Sequence, residues 1–471
     1  MQQQKLSLPL GYSTIFTWLV FALLLSPVTA LASDPFNTEA DIVRGNLDIV
    51  GDSIHCNKEK INSPLSLADV VDLTLCNNPQ TAALWSAARS QAAQVGVSSA
   101  AYLPTLSAQG SVTQNFPVIA NQTQDNYTSR NASLTANYLL YDFGGRSATL
   151  ENAKQLLIAI NATRDASLQS NYLTAVQAYY ALLSARASVS SYAAAEASAR
   201  ESLAAAQARY QAGVATPVDK LQAQTTLSQA TFNRINAQGT ERNAQGILAN
   251  IMGFDATQSY AVLPVTEVTP DPAIEQDIGK LIADARHSRP DLAAAESQIK
   301  AAEAQLDSTR ATGRPAISLG AMTGLTDVSN SPDSRNNSIG ITLSVPLFSG
   351  FATNYQIRAA QAQLQGKIAA RDSLTNQIAL DVWKVYQGLL SNSQALRSAD
   401  DLVSAAEQSE KMILGRYKAG VGNILDTLTA QSTLANAHQQ RVSALYNFLF
   451  SRFALAQAIG QLDLTQLENR N

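Results

Sequence analysis

Two hydrophobic periods divide this chain. Residues 146–212 contain neither Gly nor Pro, and Leu173, Val176, Tyr180, Leu183 and Ala187 recur at steps of three and four. That spacing, in a stretch rich in Ala, Leu, Gln and Glu, predicts one unbroken helix. Its 67 residues would extend about 100 Å. So long a seam belongs to a coiled coil or helical assembly rather than a globular core. A second stretch, 351–414, has the same character but carries Gly366 and Gly388, which makes its middle a weaker helix. Partner helices are expected over 217–253 and 424–460, and shorter ones over 79–102 and 290–311.

The second period is two. Ile339, Ile341, Leu343 and Val345 alternate with Ser338, Gly340, Thr342 and Ser344. Leu134, Ala136, Tyr138 and Leu140 alternate with Ser133, Thr135 and Asn137, broken by Leu139, and Ile317, Leu319 and Ala321 alternate with Ser318, Gly320 and Met322. Residues 106–116, mostly small and polar, give the faintest of the four strand patterns. About nine to eleven residues, apolar on one side, fit a tilted strand in a bilayer. A sheet with one face on a core would read alike, but no amphipathic short helix is placed to cover this face. The loops 117–130 and 323–337 are polar. Four transmembrane strands are therefore expected. Four cannot close a barrel, and lipid tolerates no open edge. Two, three or four copies would supply eight, twelve or sixteen strands, and the residues do not choose among them.

The pattern occurs twice. Asn78-Pro79-Gln80 is answered by Arg289-Pro290-Asp291, and Leu103-Pro104-Thr105 by Arg314-Pro315-Ala316, both 211 positions on. Arg209-Tyr210-Gln211-Ala212-Gly213-Val214 is answered by Arg416-Tyr417-Lys418-Ala419-Gly420-Val421 at 207, and Gly253 by Gly460 at 207. Asp142-Phe143-Gly144-Gly145 pairs with Leu347-Phe348-Ser349-Gly350 at 205. The two copies are expected over 63–262 and 274–464, joined by a linker, 263–273, and followed by a tail, 465–471.

The first 33 residues hold one charge, Lys5, then an apolar run over 15–25 and the pattern Ala30-Leu31-Ala32. These are the three parts of an export signal over 1–32. The run is too short for a spanning helix. A segment over 33–62 would then lead into the first copy. Cys56 and Cys76 would reach an oxidising compartment, where a structural disulfide is expected.

Composition removes other functions. Of 471 residues 15% are charged, well below the ~25% of ordinary soluble domains. A net charge of −4 gives no basic footprint for nucleic acid. His55, His287 and His438 are scattered, so no metal cluster of familiar spacing forms with the cysteines. No nucleophile motif or phosphate loop points to catalysis or a cofactor.

The duplicated helix–strand–strand–helix plan, the Pro104 and Pro315 transitions, the Phe143-Gly144-Gly145 and Phe348-Ser349-Gly350 corners and the twin Arg-Tyr-x-Ala-Gly-Val turns resemble the TolC family of outer-membrane factors. The resemblance covers about 63–464. It implies a mixed α and transmembrane-β fold: a homotrimer with a twelve-stranded outer-membrane barrel continued by a long α-helical periplasmic tunnel. It also implies a periplasmic adaptor (membrane fusion) protein and an inner-membrane ABC transporter or proton-driven pump as partners, and contact with outer-membrane lipid. Cys56 and the segment 65–80 are similar to a CyaE-like subgroup associated with type I protein secretion.

At each helix–helix turn an N-cap residue, Thr216 or Asn423, precedes an acid at the third helical position, Asp219 or Asp426. Favourable placement in the helix dipole accounts for both acids. The resemblance supplies another reading: Asp426 matches a family position in an acidic ring at the periplasmic entrance, and Tyr417 a residue that holds the entrance shut. Gly422 stands where well-studied members carry a basic locking residue, and Thr429 where a second acid occurs, so this mouth is expected to close through other contacts. Arg209, Tyr210, Gly213 and Val214, with Arg416, Gly420 and Val421, resemble the surface that adaptors grip; the simpler reading is that Gly213 and Gly420 end their helices.

The expected function is a passive exit duct, carrying a secreted protein by preference or small toxic compounds otherwise. A trimeric coiled-coil adhesin is the rival from another class. Its anchor strands would lie at the C-terminus, where 424–460 reads as helix.

Overall fold

The computed structural model describes residues 34–42, 64–117, 125–264, 277–329 and 331–462. The export signal, Cys56, most of the linker and the tail lie outside the described residues. Cys76 is disulfide-bonded.

Six elements follow one another and then repeat. The first set is α1 (Leu67–Asn77), α2 (Pro79–Ala100), β1 (Thr105–Asn115), β2 (Tyr127–Tyr141), α3 (Gly145–Gln211) and α4 (Pro217–Ile251). The second is α5 (Ile278–Ser288), α6 (Pro290–Ala311), β3 (Ala316–Val328), β4 (Ser331–Ser344), α7 (Ala352–Lys418) and α8 (Ile424–Ala458). Matching helices have identical lengths of 11, 22, 67 and 35 residues. Gly366 and Gly388 do not interrupt α7.

The chain punctuates these elements locally. Pro79, Pro290 and Pro217 occupy first helical turns, where a missing N–H costs nothing. Ser66 and Asp69 form a reciprocal capping box on α1. Pro104 and Pro315 stand immediately before β1 and β3. At the strand-to-helix corners two consecutive residues take positive φ: Phe143 (53°) and Gly144 (97°) in the first copy, Gly350 (61°) and Phe351 (65°) in the second. The spatial equivalents are therefore Phe143 with Gly350 and Gly144 with Phe351, at 207. This corrects the 205 pairing, in which the two Phe residues were matched: the order of Phe and Gly is exchanged between copies.

Lateral order sets what the chain can become. The sheet runs β1–β2–β3–β4, every pair antiparallel. Next to the sheet the helices pack in the order α2–α3–α6–α7, and beyond the midpoint as α4–α3–α8–α7. One edge of the protomer is thus β1, α2 and α4, and the other is β4 and α7.

The main core lies where the two helical tiers meet. Val70, Val71, Leu168, Tyr172, Leu182, Leu248 and Met252 are almost wholly buried there, each large side chain contributing roughly 2 kcal/mol by burial. A clasp closes it. Leu65 N–H donates to the Ala261 carbonyl (2.9 Å), Leu263 N–H to the Leu65 carbonyl (2.8 Å), and the Tyr179 hydroxyl to the Leu263 carbonyl (2.9 Å). Leu281, Leu292, Ile378, Val382 and Tyr386 form the second copy's smaller counterpart.

Candidate functional site

The register assigns the strand faces. Leu106, Ala136, Ala321 and Ile339 lie side by side across the sheet, followed by Tyr138, Leu319 and Ile341, then Ile317 and Leu343. Among the described residues no helix covers this apolar face, and Ile339 and Ile341 are 78% and 70% exposed. The opposite face carries Thr105, Asn137, Gly320 and Gly340, then Ser107, Thr135, Met322 and Ser338, then Gln109, Ser133, Gly324 and Asn336. Those twelve positions hold no charged side chain. A surface apolar on one side and wetted on the other suits a wall between lipid and water.

The junction between sheet and helices is ringed with exposed aromatics: Tyr141 against Phe143 (4.7 Å between rings), Phe348 against Phe351 (5.4 Å), and Tyr355. Aromatic rings favour the membrane–water interface. This belt went unread in the sequence because its members belong to two corners and a helix start far apart in the chain. Arg146 ties the junction together. Its Nη2 donates to the Leu140 carbonyl (3.2 Å), its Nη1 to the Ala101 carbonyl (3.4 Å), and its guanidinium lies 4.9 Å from the Tyr102 ring centre.

At the far end, the α3–α4 and α7–α8 turns form two hairpin tips. Each of the two long helices stops by the same device: Val214 N–H donates to the Arg209 carbonyl (3.0 Å) and Val421 N–H to the Arg416 carbonyl (3.1 Å), around Gly213 (φ 74°) and Gly420 (φ 83°). This is the Schellman arrangement, which glycine adopts without steric cost.

The starts of α4 and α8 differ. Thr216 and Asp219 make a reciprocal capping box, the Thr216 N–H donating to Asp219 Oδ2 (2.8 Å) and the Asp219 N–H to Thr216 Oγ1 (3.3 Å). Asn423 instead accepts from the Leu425 N–H (3.1 Å). The Asp426 carboxylate is exposed and, among the described residues, has no hydrogen bond or ion pair. With Arg416, Asn423, Thr429 and Gly422 it lines a groove of about 330 Å³. Capping employs the Asp219 side chain and leaves that of Asp426 available.

Tyr417 is 4% exposed, packed with Ala206, Ala223, Ile424 and Leu428. Arg209 crosses from the other hairpin, donating to the Tyr417 carbonyl (2.9 Å) with its guanidinium 4.9 Å from the ring centre. Burial pushes the Tyr417 phenol up, Arg209 opposes that shift and Asp219 adds to it. Lys418 pairs with Glu201 (2.8 Å), a second link between hairpins. The Lys220 ammonium lies 5.8 Å from the Tyr210 ring centre. A Cβ on Gly422 would lie 2.8 Å from the Tyr417 nitrogen, so this turn has no room for a side chain there. Neither the Arg209 nor the Lys418 link was legible in the sequence, since each joins residues more than two hundred positions apart.

A profile described as outer membrane efflux protein matches residues 70–254 and 281–461, one span in each copy. The chain belongs to the outer membrane efflux protein family. This is the TolC family that the sequence resembles, a family of outer-membrane proteins. Protein CyaE of Bordetella pertussis is 28% identical over 414 residues, covering 86% of each chain. Alkaline protease secretion protein AprF of Pseudomonas aeruginosa is 26% identical over 350 residues, covering 73% of this chain and 72% of its own. The crystal structure of outer membrane protein VceC from Vibrio cholerae shares the fold, with a TM-score of 0.72 at 20% identity, covering 84% of this chain and 96% of VceC. No helix among the described residues of this efflux-family chain is long and apolar enough to cross a membrane.

Proposed function

We propose that three copies of this chain close a twelve-stranded barrel and a continuous helical tunnel, forming the exit duct of a tripartite export system. The observation that carries this is the pair of open edges on one protomer. The β1–α2–α4 edge and the β4–α7 edge run in parallel from membrane to tip, so one contact geometry, repeated, seals barrel and tunnel together. Along α4, Val218, Leu221, Thr225, Ser228, Phe232 and Ile235 form an exposed seam stepping by three and four, the pattern of an unpartnered coiled-coil face. The neighbour's α7 supplies the partner.

An inner-membrane pump, an ABC transporter or a proton-driven one, provides the energy, and an adaptor gripping the two Gly213 and Gly420 turns joins it to the duct. Type I protein secretion is the favoured role. The relative named for alkaline protease secretion and the uncharged, hydroxyl- and amide-rich inner face support it, because such a wall holds polypeptide of neither charge. Small-molecule efflux is the second reading, favoured by the family's own description. Removing the protein from its host separates them. Loss of a large protein from the culture medium is expected. An unchanged set of exported proteins with raised sensitivity to dyes and detergents would favour efflux instead.

At the mouth, three Asp426 carboxylates close together would repel anions and attract cations, while Tyr417 and Arg209 hold the tips. Asp426→Asn should lower cation preference in single-channel recordings. Unaltered selectivity would remove Asp426 from the gate.

A further inference from the structure

We infer that the outward face of the barrel carries a phosphate-binding site for lipid head groups of the outer leaflet, built on Arg335 and Arg130. The inference rests on the barrel reading above and adds a ligand class to it.

Every charged side chain in the paired part of the sheet lies on the apolar face. Arg130 and Asp327 are directly opposite on β2 and β3, and Arg335 lies opposite Leu325, one row nearer the apolar band. These residues stand at the end of the strands away from the aromatic belt. Arg130 is eleven positions from Tyr141, about 36 Å along a strand. At the tilt of a membrane barrel that rise becomes about 28 Å, close to the height of an outward apolar band. The arginines therefore sit one apolar thickness from the belt, at the level of the opposite head groups.

Their partners within the chain are too few. Arg130 meets Asp327 (2.9 Å), a pair with both side chains largely exposed, and such pairs hold weakly. Arg335 is exposed and makes no ion pair or hydrogen bond among the described residues. Asp333, two positions nearer the loop, does not pair with it. Within its own protomer the rest of its row is Gly110, Ala132 and Leu325, none of them charged, and the row faces the lipid side of the sheet. A guanidinium offers paired donors that match phosphate oxygens. A cation at the rim of an apolar face has one abundant counter-charge in reach, the phosphate of a lipid head group.

The test uses the full-length protein in phosphatidylcholine vesicles containing about one-tenth of a bisphosphorylated lipid A, the same lipid dephosphorylated, or free inorganic phosphate. Lipid retained after flotation and extraction is counted per chain. Wild type should retain the phosphorylated lipid about tenfold over the dephosphorylated one, as expected for charge-assisted hydrogen bonds. Free phosphate should not displace it. Arg335→Gln combined with Arg130→Gln should lose the preference while still floating with the vesicles, and Arg335→Lys should recover part of it. Equal retention of both lipids, or a double variant that keeps the preference, overturns the site. Wild type that fails to float overturns the barrel reading itself, and the site with it.

Discussion

Arg209, in the last turn of α3, places its guanidinium over the ring of Tyr417 and donates to the same residue's carbonyl, although the two lie in different copies. The tips of the two hairpins are thereby fastened through the ring face and backbone of Tyr417. Its hydroxyl takes no part: the oxygen is buried and has no hydrogen-bond partner among the described residues.

That division predicts opposite behaviour for two small changes. Tyr417→Phe removes an unpaired hydroxyl and should leave stability unchanged or raise it by up to about 1 kcal/mol, with a closed mouth. Arg209→Ala removes a charge-assisted hydrogen bond and a cation–π contact, a loss of about 2 kcal/mol, and should increase single-channel conductance. Thermal melts and conductance on both variants decide it; identical effects would show that the hydroxyl matters after all.

Gly213 and Gly253 share a positive φ, at 74° and 80°, but not their surroundings. A Cβ at Gly213 meets nothing within 4 Å, whereas one at Gly253 lies 2.5 Å from the Asn77 carbonyl oxygen. Gly213→Ala should cost about 1–2 kcal/mol from backbone conformation alone. Gly253→Ala should add about 1–3 kcal/mol of overpacking and reduce the yield of folded oligomer. Equal losses in denaturant titrations would contradict the close approach of α1 to this turn.

Burial of the core tyrosines sets an alkaline limit. Tyr179 and Tyr260 are each pushed up to about 12, desolvation being the main cause in both. An unfolded phenol ionises near its ordinary value of 10, so the stability these groups lend is complete below pH 10 and is lost as pH rises from 10 to 12. Each contributes a slope of up to about 1.4 kcal/mol per pH unit in that window. Melting temperature should be flat from pH 7 to 9 and then fall. Tyr179→Phe combined with Tyr260→Phe should make that fall shallower, and a fall of unchanged steepness in the double variant would show that these two phenols do not set it.

Ile341 and Thr342 are neighbours facing opposite sides of β4. If the apolar face meets lipid, Ile341→Lys, one row inside the aromatic belt, should cost about 1–2 kcal/mol and deplete assembled barrels. Thr342→Lys, facing water, should assemble normally and shift ion selectivity toward anions. Heat-resistant oligomer on gels reads the first effect and bilayer recordings the second. A reversal of the two would mean the sheet is inside out.

The long elements were legible because each has one dominant period. The expected 146–212 and 290–311 fall within one residue of α3 and α6, and the 211 and 207 offsets reappear as equal helix lengths. Strands were underestimated where the pattern fades: Ser331 to Ser334 of β4 are extended but polar, since they lie at or beyond the arginine rows and have no reason to alternate. The helices α1 and α5 were missed, though Ser66 and Asp69 spell a capping box, because eleven residues give too few turns for a period to show. The corner offset failed at Phe351, where a bulky residue holds a left-handed conformation usually left to glycine. For the mouth, capping or inter-helix pairing is the favoured sequence expectation for Asp219, whereas Asp426 stands evenly between capping and an acidic ring; the structure employs the Asp219 side chain in a capping box and leaves that of Asp426 outside one.

Counting copies in the purified, detergent-solubilised particle by electron microscopy tests the central claim most directly. The account predicts a three-fold symmetric tube with its helical part about 100 Å long and no free strand edge. A particle built from a single chain, with β1 and β4 exposed to solvent, would contradict it.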